Sequence, residues 1–99
     1  MAGGNKSYFH INAAATTQPI SANAGAILGA VAINTAAGVA SVLSIFDAAT
    51  AAQCTAANTV AVINVQNANV PGYDYNVTMS RGIFYTLSAG TPDITITFD

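Results

Sequence analysis

Much of the C-terminal third of the chain alternates between apolar and polar residues. In YDYNVTMS (residues 73–80) every second residue is tyrosine, valine or methionine, and the same alternation recurs in IFYTLS (83–88) and ITITF (94–98). A repeat of two residues is typical of β-strands that bury one face. Turn-forming residues separate the stretches, first Pro71-Gly72 and later SAGTPD. We therefore predict three strands in this region, joined as a meander.

Shorter β-like stretches occur earlier in the chain, at Ser7–Ile11, Thr16–Ile20, Ile27–Ile33, Val39–Phe46 and Thr59–Val65. We expect one face of each to be buried. The expected inward residues are Phe9 and Ile11 in the first stretch, Ile27, Gly29, Val31 and Ile33 in the third, and Val39, Leu43 and Ile45 in the fourth. Pro19 cannot donate a hydrogen bond to a neighbouring strand, so the second stretch is predicted to be an edge strand.

Seven or eight short strands without a long amphipathic helix predict an all-β fold. We expect a single antiparallel β-sandwich, of jelly-roll or Ig-like type. The exception is the alanine-rich segment Asp47–Ala57, which we interpret as a loop with a short helix. Residues 1–12 are predicted to form a flexible N-terminal arm and the first strand, and residues 13–99 the sandwich domain.

A transmembrane helix is the main alternative for Ala24–Phe46, which is an uncharged window of high mean hydropathy. Three features argue against a helix there. The polar pair Asn34-Thr35 lies in the middle, Gly29 and Gly38 weaken a helix interior, and no Lys or Arg flanks the window. The window divides more naturally into two strands around a turn.

The low charge of the chain excludes several classes of function. Charged residues make up 6% of the 99 residues, with a formal net charge of −2. Lys6 and Arg81 are the only Lys and Arg residues, which is too few for a nucleic-acid-binding face. Cys54 is the single cysteine, so no disulfide framework exists within the chain, and we interpret it as a structural thiol. The first residues lack the pattern of a secretory signal, and we expect synthesis in the cytosol.

The sequence contains no constellation of residues that indicates an enzyme, a cofactor or a metal. Acid-base chemistry needs His or paired carboxylates, and the chain has one histidine and four well-separated aspartates. We expect His10 to lie on a polar face or at an interface. Asp93 follows Pro92 and is expected to cap the turn before its strand. Cys54 has no base near it in sequence.

Two parts of the sequence resemble small bacteriophage virion proteins. The ending GIFYTLSAGTPDITITFD (residues 82–99) is similar to the end of many such chains, which finish with a Gly-aromatic strand, a Thr-Pro-Asp-like turn and an alternating Ile/Val-Thr strand. The stretch AILGAVAINTAAGVASVLSIFDAAT (residues 26–50) is also similar, and in such proteins its two strands form a hairpin. The resemblance spans roughly residues 24–99 and rests on residue types. The alanine-rich segment Asp47–Ala57 and the weak N-terminal strands depart from the pattern.

The resemblance implies a structural protein of a bacteriophage virion, without enzymatic activity. It points to capsid decoration (cement) proteins, often homotrimers that bind the major capsid protein, and to localisation in the virion. The leader Met1–Asn5 would be a gripping arm, followed by the aromatic anchors Tyr8 and Phe9. We predict that the interface residues include Tyr8, Phe9, Tyr73, Tyr75, Tyr85, Ile94, Ile96 and Phe98.

Two other functions remain open at this point. In a glycan- or surface-binding module, Tyr73, Tyr75 and Tyr85 would line an exposed site. In a tail, fibre or other self-assembling filament, the strand Ile94–Phe98 would be a free edge donated between subunits. The outward threonines and serines (Thr78, Ser80, Thr95 and Thr97) would give a surface that is wetted by water and easily desolvated against a neighbour, as in a subunit that is packed among others.

Overall fold

The computed structural model describes residues 7–12, 17–67 and 72–99, and eight β-strands dominate this part of the chain. The strands are β1 (Ser7–Ile11), β2 (Thr17–Ser21), β3 (Ile27–Thr35), β4 (Val42–Asp47), β5 (Thr59–Asn64), β6 (Tyr73–Thr78), β7 (Ile83–Leu87) and β8 (Asp93–Phe98). Two short 3₁₀ turns, Ala51–Gln53 and Ala56–Asn58, lie in the alanine-rich segment between β4 and β5. The leader Met1–Asn5, predicted to be an arm, lies outside the described residues, whereas β1 is part of the sandwich.

The eight strands form two four-stranded antiparallel sheets. The first sheet has the order β1-β8-β3-β6, and the second has the order β2-β7-β4-β5. The paired strands β1·β8, β2·β7, β3·β6 and β4·β5 make one long antiparallel double strand that is rolled up on itself. This is the strand order of a jelly roll. The predicted antiparallel β-sandwich is therefore confirmed, and of the two types considered the strand order is that of the jelly roll.

The predicted connections between strands are wrong in two places. β6, β7 and β8 lie alternately in the first, second and first sheets, so they do not form a meander. β3 and β4 also lie in different sheets, so residues 26–50 do not form the hairpin that the resemblance implied. Both errors have one cause: the turns after β3, β6 and β7 cross from one sheet to the other, and local alternation carries no information about such crossings.

The core lies between the inner faces of the two sheets. In β3 the fully buried residues include Leu28 and Val31, and the strand register shifts between them. This irregularity at Gly29 moves Leu28 into the core and leaves Ile27 half-buried, so the prediction that Ile27 shares the inward face with Val31 is wrong, whereas Gly29 is buried. The predicted start of the fourth strand at Val39, with its side chain inward, is also wrong, because Val39 lies before β4 and is 49% exposed.

The uncharged window Ala24–Phe46 folds as β3, a turn and most of β4. The residues that the structure describes include no helix that is both long and apolar enough to cross a membrane. The window is therefore uncharged and apolar because it contains two strands, each of which buries its inner face in the core.

Tyr85 joins the two sheets at the core. Its side chain on β7 is fully buried, and its ring meets that of Phe9 on β1 edge to face, with centroids 5.7 Å apart and planes inclined at 62°. The phenol hydroxyl accepts a hydrogen bond from Gln18 Nε2 at 2.7 Å, which satisfies the polar atom of a buried ring.

Asp47, the last residue of β4, holds the corner between β6 and β7. Its carboxylate accepts hydrogen bonds from the backbone N–H groups of Ser80 at 3.1 Å and Arg81 at 2.7 Å. The Arg81 guanidinium lies 3.7 Å from the same carboxylate. Burial acts to raise the pKa of the Asp47 carboxyl, but the backbone hydrogen bonds of Arg81, Ser80 and Gly82 and the Arg81 charge together hold this pKa below its ordinary value.

Gly82 packs tightly in the same corner. A Cβ atom at this position would lie 2.5 Å from the carbonyl oxygen of Ser21 and 3.0 Å from that of Ala48, and both are backbone atoms. We therefore predict that Gly82→Ala lowers the free energy of unfolding by about 2–3 kcal/mol, as overpacking does in other cores. Urea denaturation, followed by circular dichroism, measures the loss.

Gly25→Ala is the matched control for this substitution. Gly25 has a φ of 87°, but nothing lies near its missing Cβ. It should lose only the roughly 1 kcal/mol that a left-handed conformation costs an alanine. Equal losses at the two positions would contradict the steric argument.

The Asp47 carboxylate makes stability depend on pH. Because its pKa is lowered in the folded state, its contribution is complete above the unfolded pKa and disappears as the pH falls through the folded pKa. We predict that Asp47→Asn destabilises the protein by about 1–2 kcal/mol near pH 7, since the new amide group places a donor beside the backbone N–H donors. The difference from the wild type in urea titrations should shrink as the pH falls and the Asp47 carboxyl becomes protonated. Asp74→Asn, at an exposed residue of β6, is the control and should change the free energy of unfolding little.

Candidate interaction surfaces

A polar cluster lies on the outer face of the first sheet and consists of His10, Asn34, Asp93 and Thr95. It crosses three adjacent strands, because β8 lies between β1 and β3. Asp93 Oδ1 lies 2.7 Å from His10 Nε2 and accepts a hydrogen bond from Asn34 Nδ2 at 2.9 Å. The same Asn34 amide donates to Thr95 Oγ1 at 3.0 Å. The cluster is therefore an internally hydrogen-bonded surface that remains open to solvent.

Asp93 is the electrostatic centre of the polar cluster. The hydrogen bonds from Asn34 and His10 lower the pKa of its carboxyl, burial opposes them, and the charge of His10 when protonated lowers it further. The expected role of Asp93 as a turn cap is replaced by these cross-strand contacts. The reason is that β8 begins at Asp93 itself, so its side chain lies on the sheet face beside Asn34.

The predicted interface residues differ in their exposure to solvent and fall into three groups. Tyr8 is 72% exposed on edge strand β1, as an interface position requires. Phe9 and Phe98 are partly buried and pack against the core. The prediction is wrong for Tyr85, Ile94 and Ile96, which are fully buried in a single chain because they point between the two sheets.

For each of the two alternative functions, one feature that it relied on is not available at the surface. Tyr85 cannot line an exposed glycan site because its side chain is buried. The segment Ile94–Phe98 cannot be donated as a free edge because β8 pairs with β1 on one side and β3 on the other.

Tyr73 and Tyr75 form a stacked pair on edge strand β6. Their ring centroids are 6.4 Å apart and their planes are inclined at 21°, and both rings pack against the core. Burial, together with Tyr73, raises the pKa of the Tyr75 hydroxyl. Asp74 between them is exposed, as the alternation predicted. The pair therefore closes one margin of the core with its inner side and leaves a part of each ring at the surface.

The second sheet exposes valines on its edge strand β5 and on the neighbouring strand β4. Val62 on β5 is 65% exposed and Val42 on β4 is 36% exposed, both on the outer face. Phe84 should also lie outward by alternation, but it is buried between Pro19 and Phe46 of the neighbouring strands. The apolar outer surface of this sheet is thus concentrated towards β5.

Sequence reasoning missed Asn34 and Val62. Alternation assigns residues to one face of a strand, but it does not show which strands are neighbours. Asn34 meets Asp93 and His10 only because β8 lies between β1 and β3. Val62 stood within a predicted strand that had no assigned face. Its exposure follows from the inward positions of Ala61 and Ile63, which the β4·β5 register determines.

Cys54 has the environment of a structural thiol. It is half-buried, its Sγ lies 3.7 Å from the carbonyl oxygen of Thr50, and burial raises the pKa of the thiol. A raised pKa reduces the thiolate fraction on which reactivity depends. Among the described residues, no group of three His, Cys, Asp or Glu side chains is placed to hold a metal ion.

Comparison of the chain with known protein families, with curated proteins and with solved structures finds no match.

The pKa of Asp93 tests the polar cluster directly. We predict that Asn34→Ala raises the pKa of the Asp93 carboxyl towards its ordinary value, because it removes the hydrogen bond that contributes most to the lowering. A titration of the carboxyl carbon by NMR measures the shift. Asn23→Ala, in the loop before the opposite end of β3, should leave the pKa unchanged. A cluster that does not form in solution would give the same pKa in all three proteins.

Proposed function

We propose that this chain is a non-enzymatic structural protein of a bacteriophage virion that decorates the head lattice as a cement protein. The observation that carries the proposal is a jelly-roll sandwich with very few charged residues, in which the outer face of the first sheet is polar and hydrogen-bonded. Jelly rolls are frequent in viral capsid proteins. Because a fold alone does not define a function, the nature of the surface matters more to the argument.

The surface suits a subunit that is packed among neighbours. The outer face of the first sheet presents Thr95, Thr97 and the polar cluster, whose groups hydrogen-bond to one another. Of these groups, Thr95, Thr97 and Asn34 are neutral, and neutral groups lose less hydration free energy than ions when a neighbour covers them. A free soluble domain usually relies on about 25–35% charged residues at its surface, and the whole chain here has 6%.

Binding to a repeating lattice compensates for weak individual contacts. When many copies bind one particle and one another, each contact adds to a common avidity. The proposed partners are the major capsid protein and further copies of this chain. The resemblance implies that these copies form a homotrimer. Tyr8 is the best anchor on the first sheet, because exposed tyrosines contribute large contact areas at interfaces.

Purified particles of the phage or prophage that encodes the chain test this proposal. We predict that mass spectrometry detects the chain in the particles. In electron cryomicroscopy we expect surface density on the head that matches a sandwich of 34 × 31 × 20 Å. Particles that lack the chain, or that carry it in the tail, would contradict head decoration.

Tyr8→Ala provides the residue-level test. On particles that lack the chain, the added variant should bind about tenfold or more weakly than the wild type, in proportion to a lost aromatic anchor. Val39→Ala, at an exposed residue outside the first sheet, is the control and should bind normally. Equal binding of Tyr8→Ala and the wild type would remove the first sheet from the proposed contact.

A further inference from the structure

The two open sheets leave four edge strands, which differ in how well they resist pairing with another strand. β2 contains Pro19 and a register shift, and β6 contains Asp74 and Asn76, the latter with a φ of 52°. β1 carries the titratable residues Tyr8 and His10. β5, with the sequence TVAVIN, also has a register shift, between Thr59 and Ala61, but it contains no proline, no titratable residue and no residue of positive φ. Edge strands without such protection are templates for a further strand.

The β4·β5 register shows which backbone groups of β5 face the open edge. Val65 N–H donates to the carbonyl oxygen of Ser41 at 3.1 Å, and Ser41 and Val65 continue the pairing of Leu43 with Ile63. Backbone groups alternate sides along a strand, so Ile63 and Ala61 also face β4. Val62, between them, directs its N–H and C=O away from β4. No described strand pairs with that side of β5.

We propose that β5 pairs with β5 of a second copy of this chain, antiparallel and related by a two-fold axis at Val62. The backbone N–H and C=O of Val62 would bond to those of Val62 in the other copy, and Ala61 would face Ile63. The second sheets of both copies would then merge into one continuous eight-stranded sheet. Each inward residue would face an inward residue, so the apolar cores would remain covered by their own sandwiches.

The composition of β5 favours a second copy over a strand of another protein. In a two-fold pairing, residues near the axis face their own kind, and a charge there would meet a like charge. β5 and the adjoining Val65 carry no charge, and the exposed apolar side chain of the strand, Val62, is the one that would be covered by its own equivalent. The register centred on Val62 also avoids the irregularity between Thr59 and Ala61, where β5 shifts against β4.

This contact deepens the proposed function, on which it rests, by assigning a surface for self-association. A two-fold contact is isologous and closes on itself. On a head lattice it would join neighbouring decoration subunits rather than build the trimer that the resemblance implies.

Analytical ultracentrifugation of the pure chain tests the pairing without any particle. We expect the wild type to sediment in a reversible monomer–dimer equilibrium. Val62→Lys should raise the dissociation constant by at least about tenfold, because two lysines would face each other across the axis. Val39→Lys adds the same charge at another exposed valine and should leave the equilibrium unchanged. Circular dichroism and thermal melting establish that all three proteins are folded.

Disulfide trapping identifies the register. Residues facing each other in a hydrogen-bonded antiparallel pair have Cα atoms about 5.5 Å apart, within the range of a disulfide. In a Cys54→Ser background, Val62→Cys should form a covalent dimer rapidly on mild oxidation, and Val39→Cys should not.

A wild type that is monomeric throughout, a dimer indifferent to Val62→Lys, or equal trapping at both positions would overturn the proposal. A chain that dimerises in this way yet is absent from particles would refute the virion function and leave the β5 contact standing.

Discussion

The apolar contact between the two sheets is the interaction on which the rest of the structure depends. Charge contributes little, because the described ion pairs are His10 with Asp93 and Arg81 with Asp47, and both are at least partly exposed. Tyr85 shows how the contact is built: its ring crosses from the second sheet to meet Phe9 of the first, and Gln18 satisfies its hydroxyl. The strands can face each other only if each keeps its alternate residues inward, and this requirement explains the period of two along the chain.

The corners of the jelly roll impose a second requirement. The turn after β6 must cross to β7 in the other sheet, and it does so beside the end of β4. Asp47 satisfies two backbone N–H groups of this turn, and Gly82 lets the chain pass against the carbonyl oxygens of Ser21 and Ala48. One corner therefore joins the ends of β2, β4 and β7, so that the crossing is held by contacts between residues far apart in sequence.

The sequence predicted the strands well but not their neighbours. Alternation in residues 73–98 identified β6, β7 and β8 because the period of two is a local property of each strand. It could not show that these strands alternate between sheets, since the crossing turns depend on contacts such as that of Asp47 with residues 80 and 81.

The same limit applies to the prediction of surface residues. Tyr85, Ile94 and Ile96 were predicted at an interface as aromatic and β-branched residues, but such residues are equally suited to a core. His10, Asn34 and Asp93 meet only because β8 lies between β1 and β3.

The edge strands of the two sheets relate the low charge of the chain to its proposed role as a structural subunit. A sandwich with open sheets needs features that prevent unwanted pairing, and proteins commonly use charges, proline or bulges for this purpose. With so few charges available, this chain places Pro19 on β2 and the positive φ of Asn76 on β6, whereas β5 has neither. An exposed apolar edge on a free domain invites aggregation, yet on a subunit fixed in a lattice the same edge has a defined neighbour. The unprotected β5 edge is therefore consistent with a chain whose surface is completed by other copies of itself.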